Sequence, residues 1–314
     1  MATKLIEGSF VALITPFNRD GSVDFEGFRT LLDFQEKNGT AAVLMMGSTG
    51  EVSMLSPEER RQIISQTTKM KTGAMKFFYG CTGNNTAGTI EYVEYAGKEG
   101  ADGAIIAVPA YICPPEEDAV NYVLEVCDAS SIPVGFYNNP PRVKTDVSAE
   151  GVLRMSKHPN MVLVKEATSR VGQIAKLCAA KPDMGIMCCD APNLGLTISV
   201  MALGGQGTAN MTGNILPREL ATISKPWRDY DDAMACRAAW LKNLPMLHYT
   251  YSEINPVALK TVMRAVGLPA GDLRRPLTLL GGARLQEGLD IIRNLGVAEA
   301  YGYKLPSATY AAAE

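Results

Sequence analysis

The chain has 314 residues, of which 46% are hydrophobic and 20% are charged, and its formal net charge is −3 at pH 7. These values are typical of a globular chain that buries a sizeable core, and they exclude intrinsic disorder, a collagen-like repeat and a coiled coil. The charge balance offers no basic face to the phosphates of a nucleic acid. Neither a signal peptide nor a run of 18 uninterrupted apolar residues is recognised, so no membrane span is expected.

The cysteines and histidines indicate a reducing compartment and no metal centre. The seven cysteines lack the spacing of a disulfide framework, which is typical of reduced, buried thiols in a cytoplasmic protein. The adjacent Cys188 and Cys189 would alternate faces on a strand, which makes them a poor metal clamp. The two histidines, His158 and His248, are far apart in sequence and exclude a histidine-rich metal site. We therefore expect no metal or other cofactor.

Short, nearly continuous apolar runs predict strands that are covered on both faces, as in a parallel sheet. They cover residues 9–17, 41–47, 76–81, 103–109, 133–138, 161–167 and 185–190. A further strand is predicted at residues 205–211 from its position, although its glycines disfavour a strand.

Helix patterns separate these runs. They cover residues 24–38, 86–98, 116–127, 148–156, 169–180, 193–203 and 217–224, and another helix begins at Ser56. The segment Ser56-Pro57-Glu58-Glu59 combines a capping serine, a proline at the first helical position and acids near the positive end of the helix.

The alternation predicts an α/β fold, a (β/α)8 TIM barrel over residues 1–224. A C-terminal helical region follows over residues 225–314, with helices at 231–247, 256–266 and 283–295 and an alanine-rich tail, 304–314, in which disorder is expected. A doubly wound open sheet is the alternative. It is disfavoured because the turn after the first strand lacks a glycine-rich phosphate loop.

Lys165 is the sharpest single candidate for a reactive group. It follows four apolar residues within the sixth predicted strand, and active sites of such barrels lie at the C-terminal ends of the strands. Burial disfavours the charged form of an amine, lowers its pKa and makes the neutral amine a nucleophile towards carbonyls. A lysine paired with a carboxylate at the barrel mouth explains the same residue equally well.

Other candidates follow the second and fifth strands. The loop Gly47-Ser48-Thr49-Gly50-Glu51 offers backbone N–H groups and two hydroxyls to a carboxylate or a phosphate, although an ordinary turn also explains it. Tyr137 ends the fifth strand, where it either relays protons or simply packs. Arg142 follows two prolines, and it is either a bidentate ligand of a substrate carboxylate or a solvated surface residue.

Together with Tyr111, which follows the fourth strand, these residues resemble the motifs of the pyruvate-dependent class I aldolases, the dihydrodipicolinate synthase and N-acetylneuraminate lyase family. The resemblance spans residues from about 7 to about 280. The family carries a GxTGE loop, a tyrosine after the fourth strand, a YNxP segment and a strand lysine. The corresponding residues are Gly47-Ser48-Thr49-Gly50-Glu51, Tyr111, Tyr137-Asn138-Asn139-Pro140 and Lys165-Glu166-Ala167-Thr168.

The resemblance implies a Schiff-base lyase that uses pyruvate. Lys165 would form the Schiff base, and Ser48, Thr49 and Gly50 would hold the pyruvate carboxylate. Tyr137 would move protons and connect through Ser48 to Tyr111. In the family the latter tyrosine enters from a neighbouring subunit, which implies a homodimer or a homotetramer.

The second substrate is the more difficult inference. In the synthases an arginine just after the YNxP segment grips the carboxylate of aspartate semialdehyde, and Arg142 occupies that place. Three features depart from the synthase pattern. They are Ser48, the single acid Asp190 before Ala191, and Ala209 in place of a branched residue near pyruvate. We expect condensation of pyruvate with aspartate semialdehyde, as in lysine biosynthesis. The alternatives are a pyruvate-forming lyase or dehydratase acting on a 2-keto-3-deoxy sugar acid or N-acetylneuraminate, and a keto-acid sensor without catalysis.

Overall fold

The computed structural model describes residues 6–306. Its strands form a closed parallel barrel in chain order, and β8 pairs back onto β1. The strands are β1 (Gly8–Ala12), β2 (Ala42–Met45), β3 (Lys76–Gly80), β4 (Gly103–Ile106), β5 (Val134–Asn138), β6 (Met161–Glu166), β7 (Gly185–Cys188) and β8 (Gly207–Asn210). The predicted TIM barrel is confirmed, and the closure of the sheet excludes the open doubly wound alternative.

The helices between the strands lie where the sequence patterns predict them. They are α1 (Phe25–Lys37), α2 (Pro57–Thr67), α3 (Thr86–Glu99), α4 (Glu116–Ala129), α5 (Pro140–Val143), α6 (Ala149–Met155), α7 (Val171–Ala180), α8 (Leu196–Ala202) and α9 (Pro217–Ile223). The single-turn helix α5 was not predicted. The capping box is present, since Ser56 Oγ accepts from Glu59 N and the Glu59 carboxylate accepts from Ser56 N.

The C-terminal region is helical as predicted. It contains α10 (Tyr230–Thr250), α11 (Val257–Ala265), α12 (Gly282–Leu295) and a short α13 (Ala298–Tyr301) that was not predicted. Residues 304–306, the first part of the predicted disordered tail, have no regular secondary structure. The rest of this tail lies outside the described residues. None of the helices described between residues 6 and 306 is long and apolar enough to cross a membrane.

The glycines that disfavour a strand at β8 have a packing reason. Gly207 adopts φ 141°, and a Cβ there would lie 2.1 Å from the carbonyl oxygen of Gly8 on the adjacent β1. Any larger residue would force the first and last strands apart. The barrel therefore closes because a residue without a side chain occupies this position.

A buried ion pair joins the C-terminal helices to the barrel. The Lys260 amine of α11 donates to Glu51 Oε1 at 2.8 Å and to the backbone oxygens of Thr15 and Asp272, each at 3.0 Å. The Glu51 carboxylate also accepts from Arg274 N at 2.9 Å. Both charged side chains are 0% exposed. Burial lowers the pKa of Lys260, and the neighbouring Glu51 opposes that shift.

We predict that Lys260→Met lowers the free energy of unfolding by about 3–5 kcal/mol, because it leaves the Glu51 carboxylate buried without its cation. Lys176→Met is the matched control. Lys176 pairs with Glu150 on the surface, where both side chains are more than half exposed, so its loss costs about 0–1 kcal/mol. Denaturant unfolding followed by two probes measures both values. Equal values for the two variants would contradict a structural role for the buried pair.

Candidate active site

Lys165 lies in β6 with its side chain at the mouth of the barrel. The side chain is 5% exposed, and its amine lies 4.3 Å from the centre of the Tyr137 ring on the neighbouring β5. Among residues 6–306, none of the hydrogen bonds or ion pairs involves this amine. Burial is the main cause that lowers the pKa of Lys165, and the nearby Arg142 guanidinium lowers it further. Of the two interpretations of this residue, the geometry favours the reactive amine.

Tyr137 is placed beside the amine by the pairing of β5 with β6. Its hydroxyl accepts a hydrogen bond from Asn139 Nδ2 at 2.5 Å. Burial raises the pKa of the Tyr137 phenol, so it stays protonated at neutral pH. Within the described part of this chain, no hydrogen bond joins Tyr137 to Ser48 or to Tyr111. The expected relay is therefore not assembled in a single chain.

The loop that follows β2 presents unused donors. Its turn is closed by Gly50 N and Val52 N, which donate to Gly47 O, and by Glu51 N, which donates to Ser48 O. In the described chain, the backbone N–H groups of Ser48 and Thr49 donate no hydrogen bond. Free, adjacent N–H groups of this kind can bind an anion such as a carboxylate.

Two contacts hold this loop in place. Gly50 packs so closely that a Cβ there would lie 3.1 Å from Met46 N and 3.2 Å from Leu13 O. Thr49 is 1% exposed, and its hydroxyl accepts from Asn255 Nδ2 at 2.9 Å. The Thr49 hydroxyl thus anchors the loop to the C-terminal region, while Ser48 remains partly exposed at the mouth.

Arg142 and Tyr111 are both exposed near the mouth. Arg142 lies in α5, where Pro140 at the first helical position begins the turn, and its charge acts on both Lys165 and Tyr137. Tyr111 is 100% exposed and has φ 78°, an uncommon conformation for a residue with a side chain. The structure thus brings Arg142 to the site and points Tyr111 away from the surface of its own chain.

Residues that follow β6 and β7 form an apolar wall of the site. Ala167, Cys189 and Ala191 cluster with Tyr137, Leu194 and Tyr251. The acid between these residues, Asp190, is 0% exposed and accepts from Met211 N and Thr212 N, each at 3.0 Å, and from the Tyr251 hydroxyl at 2.5 Å. Three protein donors thus hold the Asp190 carboxylate.

Ala209 lies on β8 inside the barrel. It is 2% exposed and belongs to the cluster that fills the barrel interior, against which Tyr137 packs. Its small side chain leaves more room below the site than a branched residue would.

Sequence reasoning missed four residues that support the site, Asn139, Tyr251, Asn255 and Lys260. The last three belong to the C-terminal region, far along the chain from the residues they contact. Lys260 follows Val257-Ala258-Leu259, so a charged residue next to an apolar run, the signal used for Lys165, also marks it. Asn139 and Asn255 carry no comparable signal, because exposed asparagines are common beside prolines in turns.

The described residues hold no evident metal site. No group of three or more His, Cys, Asp or Glu side chains between residues 6 and 306 is arranged to hold a metal ion. Burial raises the pKa of the Cys189 thiol, which lies near Lys165, to about 11, so this thiol stays protonated at neutral pH. The chemistry available to the site is that of a buried amine, a phenol, hydroxyls and a guanidinium.

Comparison with known proteins identifies the family of this chain. The model of the dihydrodipicolinate synthetase family matches residues 5–294. The 4-hydroxy-tetrahydrodipicolinate synthase of Gluconacetobacter diazotrophicus is 34% identical over 286 residues, which cover 89% of this chain and 94% of the relative. That of Geobacter metallireducens is 33% identical, with coverage of 90% and 96%.

Solved structures show the same likeness. The dihydrodipicolinate synthase of Aquifex aeolicus has a TM-score of 0.85 at 28% identity, covering 96% of this chain and 100% of that chain. The chloride-inhibited enzyme of Acinetobacter baumannii, complexed with pyruvate, has a TM-score of 0.86 at 28% identity and covers 93% and 99%. With a family match over nearly its whole length, this chain belongs to the dihydrodipicolinate synthetase family.

Proposed function

We propose that this protein is a 4-hydroxy-tetrahydrodipicolinate synthase, a class I lyase that condenses pyruvate with aspartate semialdehyde. The observation that carries the proposal is the Lys165 amine, which is buried at the barrel mouth beside Tyr137 and pairs with no carboxylate of residues 6–306. Burial shifts such an amine towards its neutral form, which is the nucleophile towards a keto group. The curated relatives, at 33–34% identity, carry this activity in their names.

The residues of the site can carry out the steps up to formation of the carbon–carbon bond. The Lys165 amine adds to the keto carbon of pyruvate, and loss of water leaves a protonated imine. The imine withdraws electrons, so a proton leaves the methyl carbon, and the resulting enamine carbon forms a bond with the aldehyde carbon of the second substrate. The free N–H groups of Ser48 and Thr49 would bind the pyruvate carboxylate, and the protonated phenol of Tyr137 would transfer protons beside the imine.

The apolar wall of the site favours aspartate semialdehyde over a sugar acid as the second substrate. A polyhydroxylated chain requires polar partners, and Ala167, Cys189 and Ala191 provide none. The Asp190 carboxylate is engaged by the protein. A short aldehyde with one carboxylate matches this site better, with Arg142 as its cation. A lyase acting on a 2-keto-3-deoxy sugar acid or N-acetylneuraminate is the less favoured alternative.

Catalysis is favoured over sensing because binding a keto acid requires no reactive amine. A buried lysine without an anionic partner is unfavourable in free energy, and a sensor gains nothing from it. The location of the protein in the cytoplasm remains a prediction.

We further propose that the working enzyme is a homodimer or homotetramer. Tyr111 is fully exposed, and the adjacent Ile112 is 58% exposed, so the segment presents an aromatic and an aliphatic side chain to a neighbour. A second copy of the chain would bury both and would bring Tyr111 to the site of its neighbour.

We predict that pyruvate and borohydride add one reduced pyruvate to the chain, at Lys165. Lys165→Ala should abolish trapping, because the nucleophile is removed, while Lys176→Ala should trap as the wild type does. Peptide mass spectrometry locates the adduct and distinguishes Lys165 from Lys260, another buried lysine. An adduct at a different lysine, or trapping by Lys165→Ala, would remove the proposed mechanism.

We predict that Arg142→Ala raises the KM for aspartate semialdehyde about ten- to a hundredfold, because a charge-assisted contact contributes about 1.5–3 kcal/mol. Pyruvate trapping should be nearly unchanged. Arg142→Lys, which keeps the charge and loses the bidentate geometry, should give an intermediate KM. Steady-state kinetics measures all three proteins. An unchanged KM in Arg142→Ala, or no turnover of aspartate semialdehyde by the wild type, would favour the sugar-acid alternative.

We predict that mixing two inactive proteins, Tyr111→Phe and Lys165→Ala, restores part of the activity. If Tyr111 acts in the neighbouring subunit, one site of each mixed dimer has both intact residues. Native mass spectrometry verifies subunit exchange before the activity is measured. Complete exchange with no recovered activity would show that Tyr111 acts within its own chain or not at all.

A further inference from the structure

Asp190 is a buried acid near the reactive amine. Its carboxylate is 0% exposed, lies just beyond β7, next to β6, and favours the charged form of Lys165. A carboxylate free to pair with this amine would keep it protonated and unreactive. The proposed function therefore requires that groups other than the Lys165 amine hold the Asp190 carboxylate.

The carboxylate is held by three donors from two segments of the chain. Met211 N and Thr212 N, which follow β8, donate to Oδ1 and Oδ2 respectively. The third donor is the hydroxyl of Tyr251, which follows α10 and reaches Oδ1 at 2.5 Å. The Tyr251 ring packs with Cys189 and Ala191 on the wall of the site. Burial, and then the nearby Asp190, raise the pKa of this phenol, so it remains a donor throughout the working pH range.

The other groups that act on Lys165 are a phenol, a guanidinium and two thiols. From β5 and α5 come the Tyr137 phenol and the Arg142 guanidinium, and from the end of β7 come the Cys188 and Cys189 thiols. The two thiols are protonated at neutral pH, since burial raises the pKa of both. Asp190 is thus the carboxylate that acts most strongly on the amine, while Asn138 and Gln173 hold the neighbouring Glu166 carboxylate of β6. The hydrogen bonds of Asp190 determine how strongly it acts on the amine.

We propose that Tyr251 is a positioning residue for catalysis: by donating to Asp190, it holds and screens this buried carboxylate and so leaves the Lys165 amine free to attack pyruvate. The inference rests on the proposed function and assigns a role to a residue of the C-terminal region. Among the described residues, the Tyr251 hydroxyl donates to Asp190 and makes no hydrogen bond with Lys165. It acts through Asp190.

The test is the pH dependence of pyruvate trapping in Tyr251→Phe, which keeps the ring and loses the hydroxyl. With Asp190 less screened, the charged amine is favoured, so the midpoint of the trapping rate should move to higher pH. At pH 7 the rate should fall about three- to tenfold, which corresponds to a midpoint shift of about half to one pH unit. Above the midpoint the rates of variant and wild type should converge. A purely structural role would not produce this recovery at high pH.

Tyr249→Phe is the matched control. Tyr249 lies in the last turn of α10, two residues before Tyr251, and is 2% exposed. Its buried hydroxyl has no hydrogen-bond partner among residues 6–306, so its removal should leave the profile unchanged. In an Asp190→Asn background, which removes the charge, Tyr251→Phe should no longer move the midpoint to higher pH. Circular dichroism and thermal denaturation verify that each variant folds. If Asp190→Asn does not fold, the comparison of the pH profiles of Tyr251→Phe and Tyr249→Phe still tests the proposal.

Each other outcome contradicts the proposal. An unchanged profile, a midpoint moved to lower pH, or an equal fall at every pH in Tyr251→Phe would overturn it while leaving the proposed function intact. A shift that persists in the Asp190→Asn background would show that Tyr251 acts without Asp190, and it would also overturn the proposal. A wild-type protein that traps no pyruvate would overturn both this inference and the proposed function.

Discussion

The removal of one lysine amine from water is the constraint on which the site depends. Burial lowers the pKa of both Lys165 and Lys260, yet their surroundings differ. Lys260 pairs with Glu51 and two carbonyl oxygens, and its charge serves to join two parts of the chain. Lys165 faces an aromatic ring and protonated thiols. The same residue type is therefore structural in one place and suited to nucleophilic attack in the other.

The C-terminal region braces the mouth of the barrel at several points. Asn255 bonds the Thr49 hydroxyl, Lys260 pairs with Glu51 of the same loop, and Tyr251 bonds Asp190 after β7. The side chains that carry the chemistry come from the barrel, while three of the groups that orient them come from a segment of ten residues between 251 and 260. The division at residue 224 stays a prediction, and residues on both sides of it contribute to the site. Loop positions at the mouth depend on contacts distant in sequence.

The barrel could be predicted from sequence because each strand is a short apolar run followed by a helix with its own start signal. Lys165 could be found because burying a charge within such a run is unfavourable in free energy. A lysine at that place therefore indicates either a functional group or a paired one. The supporting contacts could not be found, since Asn255 and Tyr251 are ordinary polar residues until the fold brings them to Thr49 and Asp190. For β8 the intrinsic strand propensity was misleading, because the close approach of Gly8 requires glycine at position 207.

The protonation state of Lys165 is the most direct measure of this account. With lysines labelled at the ε-carbon, the NMR resonance of Lys165, assigned by its absence in Lys165→Ala, can be followed as a function of pH. The account predicts a pKa for Lys165 below that of an exposed lysine such as Lys176 in the same spectrum. A pKa equal to or above that of Lys176 would mean that the amine is charged at neutral pH and would contradict the central claim.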